Sequence, residues 1–307
     1  MTTLPPPASG VCHTAPTSPT GLSGDRRLHL QEGPIDLVIE AFADDPKEVA
    51  LAYQAATDRF TGILKALVDE LPLLRTPLGS ARPPLTGPVA QRMVDACWPH
   101  RAVFITPMAA VAGAVADEIL AAMLARARLR RAYVNNGGDI AIHLAPGEQF
   151  RVGLAGIEDA ALHGALDLTA GDAMGGVATS GWRGRSLSLG IADAVTVVAR
   201  NAAAADAAAT LVANALNVDH PAVHRLPARA VRDDTDLRDL PVTVAVGALP
   251  ENAINAALEA GLQVAHRMQL AGLIHAACLR LQGHTRIAAP LHDRKAQAVR
   301  HTEDIHP

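Results

Sequence analysis

The chain has 307 residues, 49% of them hydrophobic, 19% charged and 3% aromatic. That content sustains a packed core and excludes an intrinsically disordered chain, and at about 100–200 residues per domain it allows one large domain or two modest ones. With 27 Lys and Arg against 31 Asp and Glu, no field of one sign steers the chain onto nucleic acid, and two Trp, two Tyr and four Phe are too few for the stacking platforms that single strands require.

Residues 1–24 are rich in Pro, Thr, Ser and Gly without periodicity and are expected to form a disordered tail. Residues 25–290 then read as one domain and 291–307 as a flexible C-terminal tail. Leu28–Gln31 and Ile35–Ala41 predict a hairpin turned at Glu32-Gly33-Pro34. Over Pro46–Leu71 the apolar residues Val49, Tyr53, Ala56, Phe60, Ile63, Leu64, Leu67 and Val68 keep a 3–4 spacing, which predicts a single amphipathic helix. Leu71–Pro88 holds five prolines and reads as a loop, and Gly87–Cys97 as a short helix. Ala109–Arg126 predicts a helix with small side chains over its first half. Arg131–Asn135 and Ile140–Leu144 alternate around Asn136-Gly137-Gly138-Asp139, a tight-turn signal. Strands are expected at Gln149–Leu154, Gly176–Thr179 and Ala194–Ala199. An Ala-rich helix follows over Ala202–Leu216, with Asn201 as its N-cap. Val242–Val246 is the next strand, Glu251–Leu281 a long helix with break points at Gly261 or Gly272, and His284–Ala288 a return to the sheet. This mixed order is that of an α+β domain with mostly antiparallel sheets packed with long helices.

The longest uncharged apolar run, Ala102–Ala116, is shorter than the roughly 20 residues of a membrane span, and Pro107 interrupts it. No membrane association is expected. Cys12, Cys97 and Cys278 lie far apart, a reduced inventory that fits a cytoplasmic chain. No apolar segment precedes Cys12 to make an export signal.

Four clusters of residues carry chemistry. The turn Asn136-Gly137-Gly138-Asp139 can admit a ligand close to its backbone with a carboxylate beside it; it serves equally as a hairpin turn that needs positive φ. The helix start Ala109–Asp117, with Gly113 inside it, allows close approach of a flat cofactor or of a neighbouring helix, and Asp117 is either a functional carboxylate or a solvated one. Thr179-Ser180-Gly181, with Arg183 and Arg185 just after it, supplies hydroxyls and guanidinium forks suited to a diphosphate, or forms a surface loop. Asp206 and Thr210 stand one turn apart on one helix face, a spacing suited to Mg²⁺ or to simple stabilisation of the helix dipole. The histidines give no metal signal, and the chain has neither a Walker A loop nor a GxGxxG motif.

In this combination and order the motifs resemble the ApbE superfamily, flavin transferases that attach FMN from FAD to target proteins, and more closely its cytosolic ApbE-like branch. The likeness spans most of residues 28–290. It is carried by Ile105–Asp117, Tyr133–Ala141, Thr179–Gly181, Ser186–Val195 and Ala205–Thr210. It implies a T-fold-like α+β domain that binds FAD or FMN with Mg²⁺ and docks an acceptor protein, with a homo-oligomer as a further expectation. Carried over by position, Asp206, Thr210 and the backbone at Ala109 correspond to the metal ligands. Gly137, Gly138 and Asp139 correspond to the flavin-side turn, and Gly113 and Asp117 to the Gly and Asp of a Lys-Gly-x-x-x-Asp motif. Two departures stand out: Ala112 replaces that motif's Lys, and Ser186–Val195 lacks the His of the transferases. Asp193 and Asp139 are then the candidate catalytic bases. The resemblance leaves room for two other roles. One is a flavin-dependent redox or biosynthetic enzyme acting on a small heterocycle in a tetrahydromethanopterin-linked, one-carbon setting; the other is a non-catalytic partner-binding subunit.

Overall fold

The computed structural model describes residues 27–155, 162–172 and 174–289. The two expected tails, with Cys12, lie outside the described residues. The chain opens with the hairpin β1 (Leu28–Glu32) and β2 (Ile35–Phe42), turned at Gly33 with φ +56°. In β2 every second side chain from Ile35 to Ala41 is buried, as its alternation dictates.

Helix α1 (Pro46–Phe60) starts where the Asp45 carboxylate accepts a hydrogen bond from the Lys47 N–H and Pro46 presets the first turn. The single helix expected over 46–71 is two, and a third short helix opens the stretch expected as a loop from Leu71. Gly62 adopts a left-handed φ of +85°, and α2 (Ile63–Asp69) and α3 (Leu71–Leu74) follow. A 3–4 apolar spacing survives such a break, so periodicity alone does not reveal it. One consequence is that Val68, expected on the apolar stripe, is exposed.

Next come α4 (Pro88–Cys97), a 3₁₀ turn at Pro107–Ala110 and α5 (Val111–Arg126). Strands β3 (Arg131–Asn136), β4 (Asp139–Leu144), β5 (Gln149–Ala155), β6 (Leu162–Thr169), β7 (Gly176–Ser180) and β8 (Ala194–Ala199) lead into α6 (Ala202–Ala215). The chain continues through β9 (Val223–Pro227), α7 (Ala228–Val231), β10 (Pro241–Val246), α8 (Glu251–Leu270), β11 (Ala276–Leu281) and β12 (His284–Ala288).

Two further expectations are corrected. The last long helix stops at Leu270, beside Gly272 at φ +68°, and Ala276–Leu281 is a strand. Ala277, Leu279 and Leu281 alternate inward there, and β11 pairs with both β8 and β12. The backbone edge of β8 decides the matter over local helix propensity. Strands β6 and β9, not expected, pair with β5 and β10.

Eight strands form one antiparallel sheet in the order β1-β2-β3-β4-β7-β8-β11-β12, so the α+β expectation with mostly antiparallel sheets holds. The long helices cover one face. The opposite face, at mid-sheet, is closed by the β5–β6 ribbon, which packs Leu168 on Ile142, Val177 and Val198, with Phe150 edge-on to Tyr133. Helix α5 belongs to the helical layer: Pro107–Arg126 is long and apolar enough to cross a membrane, yet half of it is buried inside the fold.

The alanines of α6 divide between two cores. Ala202, Ala203 and Ala207 join the one beneath α1, α4 and α5, whereas Ala204, Ala205, Ala208 and Ala209 join the one beneath α8. Where α5 meets α6 the backbones touch, and a Cβ on Gly113 would lie 2.3 Å from the Ala202 carbonyl oxygen. Asp117 of α5 accepts hydrogen bonds from the Ala202 and Ala203 N–H groups (3.0 and 2.9 Å). Asp206 of α6 accepts one from the Gly113 N–H (3.1 Å). Each helix thus satisfies open amides at the other's N-terminus, and Asn201 completes the α6 cap by accepting from the Ala204 N–H.

Gly113→Ala is expected to destabilise the chain by about 1–3 kcal/mol in urea titration. Gly79→Ala, which meets open space, should stay within about 0.5 kcal/mol. Equal effects would deny the backbone contact.

Candidate functional site

One cavity of about 740 Å³ lies between the β3–β4 turn, the start of α5, the exposed side of α6 and the loops over them. Its polar floor is set by three local devices. Gly137 and Gly138, at φ +66° and +111°, turn the chain so that Asp139 opens β4. Asn135 accepts from the Gly138 N–H (2.8 Å). Asn136, buried, donates its side-chain amide to the Ala112 carbonyl (3.1 Å) and so locks the turn against the start of α5. Asp206 and Thr210, one turn apart on α6, face the same space.

Ser180 at the end of β7, Ala109 in the 3₁₀ turn and Arg185 in the following loop also line the cavity. Leu64, Leu67, Val68, Leu71, Phe104 and Met108 form an apolar wall. No histidine or lysine lines it among the described residues.

The floor is electrostatically strained. One carboxylate oxygen of Asp139 is buried without a hydrogen-bond partner. Burial pushes Asp139 up to about 7, against the opposing pull of the Thr179 N–H and the Arg185 charge. Burial also pushes Asp206 well above the usual carboxylate range, and the neighbouring Asp139 charge adds to it. Each of these desolvated carboxylates disfavours the charged form of the other.

This donor set fits Mg²⁺. The Asp206 carboxylate and the Thr210 hydroxyl on one face are hard oxygen donors, the unpartnered buried oxygen of Asp139 beside them calls for a positive charge, and Mg²⁺ completes its shell with water and phosphate. Among the described residues no group of three or more His, Cys, Asp or Glu forms a metal cage. A carboxylic acid near 7 is also matched to proton transfer, which a carboxylate at its ordinary value is not.

Not every expected residue reaches the cavity. Gly113 and Asp117 serve the α5–α6 contact, and Asp117, buried, is raised to about 6 by desolvation. Gly137 lies under the Arg185 guanidinium, where a Cβ would fall 1.9 Å from Nη2. Gly138 serves the turn. The Thr179 hydroxyl pairs with Thr196 on β8 (2.9 Å), and Gly181 is packed on the Asp193 and Ala192 carbonyls. Arg183 stacks on Trp182, 4.5 Å from its ring centre, and bonds Asp193 (3.3 Å). Asp193, a candidate base, also accepts from the Gln282 N–H and so ties the β11–β12 turn; it does not line the cavity.

Lining residues not anticipated are Arg75, Asn214, Arg232 and Asp236. The charge-dense stretch Arg232–Asp239 was the only sequence signal for any of them.

Residues 20–287 match the family described as AbpE bacteria. The UPF0280 protein of Methanothrix thermoacetophila is 39% identical over 133 residues, 43% of this chain and 54% of that one. The UPF0280 protein of Methanopyrus kandleri is 35% identical over 182 residues, 59% of this chain and 68% of that one. The chain therefore spans about half the length of the first relative and two thirds of the second. The apo flavinyl transferase ApbE of Pseudomonas stutzeri covers 90% of this chain and 97% of its own, at 15% identity and a TM-score of 0.45.

The pH dependence of stability tests the floor. Across about pH 4–7 the folded chain retains on Asp139 a proton that the unfolded chain has released, so this group lowers stability as pH rises through that window. The stability of Asp139→Asn relative to the parent should therefore climb from pH 4 to 7 and level off above it, in metal-free urea titrations. A difference independent of pH would contradict the assignment.

Proposed function

The chain belongs to the family described as AbpE bacteria, and on that premise we propose that it binds a flavin nucleotide with Mg²⁺ and transfers FMN from FAD to a Ser or Thr hydroxyl of a partner protein. The carrying observation is the convergence of Asp139, Asp206, Thr210 and Arg185 on one cavity that also has an apolar wall. The motif resemblance to the FMN transferases supplies the flavin; the cavity supplies a place where ring and diphosphate can be held at once.

Asp206, Thr210 and the backbone at Ala109 would hold the cation, which when bound offsets negative charge on the diphosphate. The apolar wall from Leu64 to Met108 takes the ring system and excludes water from it. Asp139 is poised to accept the proton of the acceptor hydroxyl. The acceptor oxygen bonds the phosphorus of the FMN moiety, the phosphoanhydride bond breaks, and AMP leaves. With Ala112 in place of a lysine, the positive charge over the floor comes from Arg185 lying across Gly137.

Titrating FAD into the purified chain should quench flavin fluorescence saturably only with Mg²⁺ present. Thr210→Val should weaken that Mg²⁺-dependent binding by about tenfold without lowering thermal stability, since Thr210 takes no part in the helix caps. A Ser/Thr acceptor should gain the mass of FMN in the parent and not in Asp139→Asn. Absence of any FAD response with Mg²⁺ would overturn the proposal.

A further inference from the structure

Three arginines far apart in sequence meet at the rim of the cavity: Arg75 at the end of α3, Arg185 after β7 and Arg232 after α7. No lysine or histidine shares the lining, so these guanidiniums are its entire cationic complement among the described residues. Arg185 faces Asp139 on the floor. Arg232 donates to the Arg185 carbonyl (2.9 Å), which spends one of its five donors and draws the two side chains to one side of the mouth.

Arg75 is different. It reaches across to Asp234, on the loop that follows Arg232, and pairs with it. The two partners are unequal: the Arg75 side chain is 28% exposed and the Asp234 side chain 75%. An arginine side chain set partly in the cavity wall is thus satisfied by a carboxylate that stands in water. The same loop is fastened at Asp236, which accepts from the Thr106 hydroxyl, so Asp234 can leave Arg75 without freeing the whole loop.

We propose that Arg75 and Arg232, with Arg185, clamp the phosphate or diphosphate end of the cavity's ligand, and that Asp234 is a stand-in anion which this ligand displaces from Arg75. This rests on the flavin-nucleotide reading of the cavity and adds to it the residues that select a phosphorylated ligand. An exposed ion pair is weak and screened, whereas a guanidinium fork on a phosphate makes paired, charge-assisted bonds, so the exchange runs toward the ligand. Asp234 also imposes selectivity: a neutral ring without phosphate gives nothing to replace it on Arg75.

FMN and riboflavin share a ring and differ by one phosphate, which makes them the probes, with inorganic pyrophosphate as a third that carries no ring. On the full chain, Asp234→Asn should bind FMN and pyrophosphate about three- to tenfold more tightly, and Arg75→Gln about tenfold more weakly, with riboflavin unchanged in both. Thermal midpoints near the parent's establish that both variants fold. The clamp is overturned if Asp234→Asn leaves FMN and pyrophosphate binding unchanged or weakened, or if riboflavin shifts by the same factor. The two readings separate cleanly. Pyrophosphate binding that responds to Asp234→Asn, with no flavin bound, keeps the clamp and removes the flavin. Binding of both flavins that neither variant changes keeps the flavin and removes the clamp.

Discussion

The crossing of α5 and α6 is the constraint on which the rest of the molecule depends. Two helix N-termini meet with no side chain between them at Gly113, and each end presents open N–H groups and a partial positive charge. Each is answered by a carboxylate from inside the other helix, Asp117 for α6 and Asp206 for α5. The pairing sets both the distance and the rotation of the helices. Rotation matters most: with Asp206 turned toward the start of α5, Thr210 comes to the cavity and the alanines between them fall into the two cores.

The scarcity of aromatics takes its meaning from that contact. A core built of Ala and Val lets backbones approach, and at the floor of the cavity it lets backbone amides, glycines and short polar chains do what larger side chains would otherwise do. The consequence is desolvation. Asp139 and Asp206 sit where water reaches them poorly, and the cost of charging both marks how strongly the floor calls for a counter-charge.

Features decided locally were legible in the sequence. The β3–β4 turn, the Asn201 cap and the strand ends at Arg131 and Ala194 each follow from a few neighbouring residues. Features decided by distant partners were not. Nothing near Ala276 says that β8 presents an unpaired edge, and nothing near Asp117 says that its partners are amides 85 and 86 residues away. Asp193 looked available because Gln282, its partner, lies far along the chain. Arg75 sits in what read as a proline-rich loop, and only the folded chain brings it to Asp234.

Asp206 does two jobs with one carboxylate. Because it holds the α5 amide as well as facing the cavity, a chain that had lost its ligand altogether would still be held to aspartate at this position by the demands of folding. Thr210 carries no such structural duty. Among descendants and relatives of this protein, retention of the threonine therefore reports on surviving chemistry, whereas retention of the aspartate reports only on a surviving fold.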